Sequence, residues 1–447
     1  MTNRSVLKAA IVASSVSLLC ATAQAQEWSL EEAAKPYAGT TVDVVFLLRP
    51  GYEAAEQMLP EFEQMTGIDI NIIKHPYENA LGEQVRDFVA GGDLDIALID
   101  LVWIGNFAEN NWIEPLSTFT DNPDLVDPEL DIDDFFPLVL DAFGSWNDTV
   151  YGLPFDNYSG LMFYNQCMLE EAGFDGPPQT WQELKDVYGP ALTKDGKYAF
   201  ALQSKRNETQ SADSFARMLW PFGGSFLDAD FRSNLLSEES QAGLQFRQEL
   251  MQYMPEGIVS YDHAEAVNAL AQGDVAMLTE WSAFYSTLTD PETSRIGDCL
   301  GIAPEPMGPA GRKPALGGFS LAVASQADDD EKAAAYLFIQ WITSKANAKT
   351  YLDMGGVPAR QSVYNLEGVA DQYSFVPALV ESWQDGVPEF RPRFAEWPEI
   401  TEIVQEWGTR MMLGEVTTEE GAEEIGTRME AVLERAGYYD GKKPLTQ

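Results

Sequence analysis

Between residues 42 and 101 the chain alternates between buried-strand and helical patterns, and this restricts the fold more than any other feature. Residues 42–48, Val-Asp-Val-Val-Phe-Leu-Leu, read as a buried strand. Apolar residues then recur at 55, 58, 59, 62 and 65, which is helical spacing, and Gly67 supplies the stop. Residues 68–73 alternate as a second strand, 80–90 form a helix ended by Gly91-Gly92, and 95–101 form a third apolar strand. The first two strands are each followed by a helix that must cover a sheet face. The first part of the chain is therefore α/β with a mostly parallel sheet.

With 447 residues, the chain exceeds one compact core and predicts about two to three domains. The segment 150–174 is the most informative joint. A Gly152-Leu-Pro154 turn precedes the polar patch 156–159 and an apolar run, 161–164; Asn165 then starts a helix that stops at Gly173. The α/β pattern resumes after it. Thr180-x-x-Glu183 is a capping box, as is Thr417-x-x-Glu420 before a final helix running to Gly437. Helices are predicted at 212–219, 237–253, 262–272 and 331–348, and strands at 275–279 and 317–323, with extended chain at 301–309. Residues 117–136, acidic and holding Pro123 and Pro128, read as surface loop.

Arg4 and Lys8, an apolar stretch from 9 to 19, and Ala23-Gln24-Ala25 form a secretory signal, predicting export to the periplasm and cleavage after Ala25. The stretch is too short for a spanning helix. Cys20 raises the question of lipidation, but Leu19 stands where a small residue is usual. Cys167 and Cys299 remain after cleavage, in an oxidising compartment; a disulfide and two buried thiols both stay open. The formal charge of −43, from 28 basic and 71 acidic residues, argues against nucleic acid or an anionic membrane as partner. It fits a solvated surface suited to a salty medium, or attraction of a cation such as a polyamine.

Enzyme readings find little support. His75 and His263 are the only histidines, and no H-E-x-x-H, G-x-S-x-G, C-x-x-C, Walker or dinucleotide fingerprint occurs. No catalytic residue, cofactor or metal is assigned. Asp131, Asp133 and Asp134 hint at calcium but lack the EF-hand spacing. A secreted glycosidase stays open, because acids are too common for any carboxylate pair to be informative.

Several stretches, in order, resemble the extracellular solute-binding proteins of carbohydrate ABC transporters, the family 1 type with its maltodextrin- and polyol-binding group. They are Gly91-Gly-Asp-Leu-Asp-Ile-Ala-Leu-Ile99, Tyr151-Gly-Leu-Pro154 through Tyr164-Asn165, Pro178-Gln-Thr-Trp181-x-Glu183, Gln272-Gly-Asp-Val-Ala-Met277 with Trp281, and Gly355-Gly-Val-Pro-Ala-Arg360. One departure is Leu94, where the family usually has proline. The resemblance implies a two-lobed periplasmic-binding-protein fold (type II-like), each lobe a mostly parallel sheet flanked by helices. Three hinge crossings would fall near 152–158, 302–306 and 355–359. The first lobe would hold 26–154 and 304–356, the second 155–303 and 357–447. It also implies a monomer that binds a small carbohydrate, a mono- or disaccharide or a polyol, between the lobes and hands it to membrane permease subunits.

Sugars need hydrogen-bonding carboxylates and amides, and aromatic planes for their C–H faces. In open parallel sheets such groups lie past the carboxyl ends of strands. That rule selects Arg49 and Tyr52, Asp100 and Trp103, Asp156, Asn157 and Tyr158, Gly223 and Gly224, Trp281, Gly318 and Phe319, and, beyond the third crossing, Arg360, Arg393 and Trp397. Each has a structural alternative: Trp103 as core, Asp156 and Tyr158 as hinge supports, Arg360 as a surface ion-pair partner. Trp281 matches a stacking position of the family. Arg49, following the first strand directly, opens the alternative of an anionic sugar derivative held bidentately.

Overall fold

The computed structural model describes residues 28–206 and 209–445; the signal segment 1–25 and Cys20 lie outside them. Ten strands occur among the described residues. The first three are β1 (Thr41–Leu47), β2 (Asp69–His75) and β3 (Ile96–Asp100), and β4 (Ser145–Trp146) and β5 (Thr149–Val150) form a small hairpin. The long β6 (Gly152–Asn165) precedes β7 (Tyr198–Leu202), β8 (Val275–Trp281), β9 (Leu300–Pro304) and β10 (Leu316–Val323). The main sheet runs β2-β1-β3-β10-β6-β8-β7, with β9 also on β6. It is mixed. β1 pairs in parallel with β2 and β3, and β7 with β8, as the strand–helix alternation requires. The antiparallel pairs belong to β10, β6 and β9 and to β8 against β6.

The first helices form where the periodicity places them. Pro50–Thr66 ends at Gly67 and Tyr77–Ala90 ends at Gly91, both glycines in the left-handed conformation that closes a helix without a Cβ penalty. β3, β8 and β10 are buried along their whole length, so their apolar runs carry no alternation.

Three local expectations change. Residues 152–165 are one fourteen-residue strand rather than a turn followed by a short run. Its first half, 152–159, pairs with β10; its second half, from residue 160, pairs with β8 and β9. Pro154 is accommodated because the register shifts beside it, between Phe319 and Ser320, leaving Phe155 as an extra residue in a bulge. The helix expected at 331–348 is two, Asp329–Ile342 and Lys345–Asp353, because the Ser344 side chain accepts from the Asn347 N–H and starts a new helix. Segment 117–136 is partly core. Phe119 stacks on Tyr336 at 5.0 Å, and the Gln340 amide accepts from the Asp127 N–H (2.9 Å) and donates to the Leu125 carbonyl (2.8 Å). In that segment Asp131 pairs with Lys345, and Asp134 accepts from Ser362.

Cys167 and Cys299 form a disulfide with a Cα–Cα distance of 5.4 Å. It lies just past the Asn165–Leu300 end of the β6–β9 ladder, away from the 152–158 segment. Asn165 is roughly 30 Å along β6 from Asp156, at about 3.3 Å per residue. The bridge closes a loop with a sequence separation of 132 residues. Reduction, or the double change Cys167→Ser with Cys299→Ser, should cost about 2–4 kcal/mol. Urea unfolding with and without reductant checks this; an unchanged midpoint would contradict it.

Candidate functional site

Two cavities lie at the carboxyl ends of the parallel strands, between the β1–β3 and β7–β8 parts of the sheet. The first, of about 340 Å³, is walled on one side by Arg49 and Gly51 after β1 and Tyr77 after β2, and on the other by His263, Trp281 and Phe284. Its floor is β6, through Asp156 and Tyr158. Strand alternation puts those two on the same face and Asn157 on the other. Asn157 is accordingly turned away, donating its amide to the Phe319 carbonyl at 3.2 Å.

Asp156 is the most connected group here. Its carboxylate accepts from the Val357 N–H at 3.0 Å and from the Tyr158 hydroxyl. It also meets the first turn of helix Pro50–Thr66 so closely that a Cβ on Gly51 would lie 2.4 Å from its Oδ2. A carboxylate at a helix N-terminus is favoured by the exposed N–H groups there. Burial dominates nonetheless, raising its pKa to about 6 against the pull of Tyr158, Val357 and Arg49. Burial and the neighbouring Asp156 likewise push the Tyr158 hydroxyl well above its ordinary range, opposed by Arg49. The Arg49 guanidinium lies 5.3 Å from the Tyr77 ring centre and 5.8 Å from that of Phe319. Its charge is thus met inside the protein by Asp156 and by aromatic faces.

The opposite wall is built from the end of β8. Trp281 is supported from behind by the Arg217 guanidinium, 4.9 Å from its ring. Arg217 is itself buried and paired with Glu305 at 2.5 Å. His263 faces Glu280 at 3.0 Å and stacks on Phe284 at 5.2 Å. Gln210, buried on helix Gln210–Leu219, lines the same cavity, and its Oε1 has no hydrogen-bond partner among the described residues.

The second cavity, of about 380 Å³, shares Tyr77 and Glu78 with the first and is walled by Trp103 and Trp397. Near both, Arg391 joins Asp100 at the end of β3 (3.0 Å) to Asp213 on the facing helix (3.5 Å), and Asp100 accepts from the Tyr77 hydroxyl at 2.6 Å. Burial opposes the charge on Arg391, but the two aspartates outweigh it and raise its pKa.

Arg49, Asp156, Tyr158 and Trp281 therefore line the first cavity, and Trp103 and Trp397 the second. Other expected positions line neither. Tyr52 is core, packed on Phe46, Phe155 and Phe319. Phe319 and Asp100 support Tyr77 from behind. Gly318, at φ +123, lies where a Cβ would meet the Asn157 backbone at 2.4 Å. Gly223 closes the turn Trp220–Phe222, and Gly224 packs on Ser240. Arg360 donates to the Thr343 and Asp131 carbonyls (2.8 and 2.6 Å) and covers Phe135. Arg393 donates to the Asp141 carbonyl at 2.7 Å. These arginines satisfy backbone carbonyls and line neither cavity. The residues not anticipated are Tyr77, Glu78, Gln210, His263, Phe284 and Arg391. Tyr77 carried a signal, since it follows β2 as directly as Arg49 follows β1.

With this geometry the family is clear. A model of the bacterial extracellular solute-binding proteins matches residues 57–377, and the chain belongs to that family. It is a binding protein rather than an enzyme. A relative from Sinorhizobium fredii, described as a probable amino-acid ABC transporter periplasmic-binding protein, is 26% identical over 415 residues, covering 90% of this chain and 92% of the relative. The erythritol/L-threitol-binding protein of Mycolicibacterium smegmatis is 21% identical over 402 residues, covering 83% and 81%. An ABC transporter solute-binding protein of Agrobacterium radiobacter, solved with ribitol, superposes with a TM-score of 0.81 at 26% identity, covering 89% of this chain and all of that one. Maltose-bound MalE3 of T. maritima gives 0.78 at 26% identity, covering 88% and 100%.

The raised pKa of Asp156 has a signed consequence. The native state holds its proton up to about pH 6 while the unfolded chain releases it near 3.8. Its contribution is present in full below 3.8 and lost as pH rises through 6, about 3 kcal/mol at 1.36 kcal/mol per unit. Asp156→Asn should flatten the stability curve by one proton's slope between pH 6 and 4. Urea unfolding at pH 7, 6, 5 and 4 compares the two proteins; parallel curves would contradict the assignment.

Proposed function

We propose that the chain is the periplasmic receptor of an ABC importer and that it binds a small neutral sugar or polyol between two lobes. The observation that carries this is the first cavity. Aromatic faces (Tyr77, Trp281, Phe284) surround buried hydrogen-bonding groups (Asp156, Tyr158, Gln210), the combination that holds hydroxyls and a C–H face together. The ligands of similar proteins, ribitol, maltose and erythritol or L-threitol, agree in class. In this reading 26–154 with 304–356 form one lobe and 155–303 with 357–447 the other. Segments 152–158, 302–306 and 355–359 act as hinges, the Asp156–Val357 hydrogen bond tying two of them together. The protein is exported by a signal cleaved after Ala25, works as a monomer, and delivers its ligand to permease subunits.

The description of the Sinorhizobium fredii relative favours a second reading, an amino acid. A free amino acid needs a cation for its carboxylate. Arg49 faces Asp156 and Tyr158, so an anion there would compete with a buried internal partner. The same argument ranks a uronate or a sulfonated or phosphorylated sugar below a neutral one. A polyamine ranks below it too: two of the three acids lining the cavity have partners, Asp156 as above and Asp262 with Lys205 at 3.0 Å, which leaves Glu78 as the one lining acid without an ion pair among the described residues.

A thermal-shift screen over neutral sugars, polyols, uronates, amino acids and polyamines tests this. A neutral sugar or polyol at about 100 times its Kd should stabilise the protein by about 2.7 kcal/mol. Stabilisation only by amino acids or anions would replace the reading, and turnover of a glycoside would end it.

A further inference from the structure

We propose that the buried Arg217–Glu305 ion pair positions the ligand-stacking wall: it fixes the plane of the Trp281 indole before ligand arrives, and so sets affinity without touching ligand. This rests on the receptor reading above and names residues that act from behind its cavity. Buried ion pairs are a poor source of stability, because desolvating two charges offsets most of their attraction and an apolar pair of the same volume serves as well. What this pair touches gives it a different use. Arg217 is fully buried and lines neither cavity, so it does not meet ligand itself. Its Nη1 donates to Glu305 Oε1 at 2.5 Å, while Nε and Nη2 have no hydrogen-bond partner among the described residues. The guanidinium instead lies over Trp281, its carbon 4.9 Å from the ring centre. A planar cation over an indole face restrains the ring as the ring restrains it.

Two glycines clear the space for this arrangement. Gly160 is the partner of Trp281 in the β6–β8 ladder, and a Cβ on it would collide with Glu305 Oε1. A Cβ on Gly317, in β10, would lie 2.9 Å from the Trp281 ring. Glu305 is anchored in turn by the Ala315 N–H at 3.4 Å, and the backbone N–H of Trp281 donates to Glu280 at 2.8 Å. Trp281 is therefore bounded by Arg217 over a face, by Gly317 against the ring and by Glu280 at its backbone.

The sequence puts the arginine in register with the site. Gln210, Asp213 and Arg217 stand at i, i+3 and i+7 of helix Gln210–Leu219, which is one helix face. From that face Gln210 lines the first cavity, Asp213 meets Arg391 at 3.5 Å and Arg217 backs Trp281. A mobile indole gives up its rotamer freedom when it stacks on a ligand. A ring fixed beforehand has already lost it, a difference of up to about tenfold in affinity for one such side chain.

Arg217→Met combined with Glu305→Gln tests the inference, because it removes both charges, strands neither and keeps an acceptor for the Ala315 N–H. Without ligand, the near-UV circular dichroism contributed by Trp281, read as the difference from Trp281→Leu, should largely vanish in the doubly substituted protein. In calorimetric titrations with ribitol, mannitol, tagatose and maltose, the tightest probe should bind about tenfold more weakly. That loss should disappear when Trp281→Leu is added, as a coupled pair requires. If the double substitution lowers the urea midpoint, Arg217→Lys, which keeps the ion pair and loses the planar cover, takes its place and should show a loss of the same kind. An unchanged Trp281 signal, or an affinity loss that is the same with and without Trp281→Leu, would overturn the positioning role and leave the receptor reading intact. No binding of any probe by the unsubstituted protein would overturn both.

Discussion

The structure depends on where the Asp156 carboxylate is held. Asp156 lies on β6, the strand whose first half belongs with β10 and whose second half belongs with β8 and β9. From there it reaches the backbone of Val357, the hydroxyl of Tyr158 and the N-terminus of the helix after β1. One buried group thus connects three separate segments of the chain at the floor of the cleft. The constraint is tight: Gly51 has no room for a Cβ, and the alternation of β6 puts Asp156 and Tyr158 on one face.

Burying a carboxylate is costly unless it is bonded or neutralised. Here both happen, through a backbone donor, a tyrosine, a facing arginine and a raised pKa. The result is a preformed polar floor whose charges are balanced before ligand arrives. Arg391 serves similarly between the cavities, where it joins Asp100 from the β3 side to Asp213 from the facing helix. Removing one member of such a buried pair strands the other. Both clusters favour ligands that supply hydroxyls over ligands that supply charge.

Much of this was legible in the sequence. Apolar runs, one alternating run and glycine stops give β1, β2, β3 and the helices that end at Gly67 and Gly91, and the strand-end rule finds Arg49, Trp103, Asp156, Tyr158 and Trp281, which line the cavities. It missed Tyr77 because β2 extends past residue 73 through Lys74, a polar position that pairs with Glu56. Arg391 and Arg393 show a harder limit. They are two residues apart, yet one bridges Asp100 and Asp213 while the other binds the Asp141 carbonyl. Residue type and order do not say which faces the cleft, because their partners lie hundreds of positions away. Gly223, Gly224 and Arg360 fail for a related reason: a glycine that closes a turn and an arginine that caps carbonyls look, in one sequence, like ligand-loop residues.

In the proposed receptor, ligand sits on the Asp156–Tyr158–Arg49 floor against Trp281. A crystal structure with the tightest-binding sugar or polyol tests it most directly. Ligand hydroxyls should lie within hydrogen-bonding distance of Asp156 or Arg49, with a C–H face packed on the Trp281 ring. Ligand bound elsewhere, with the Asp156 carboxylate and the Trp281 ring untouched, would contradict it.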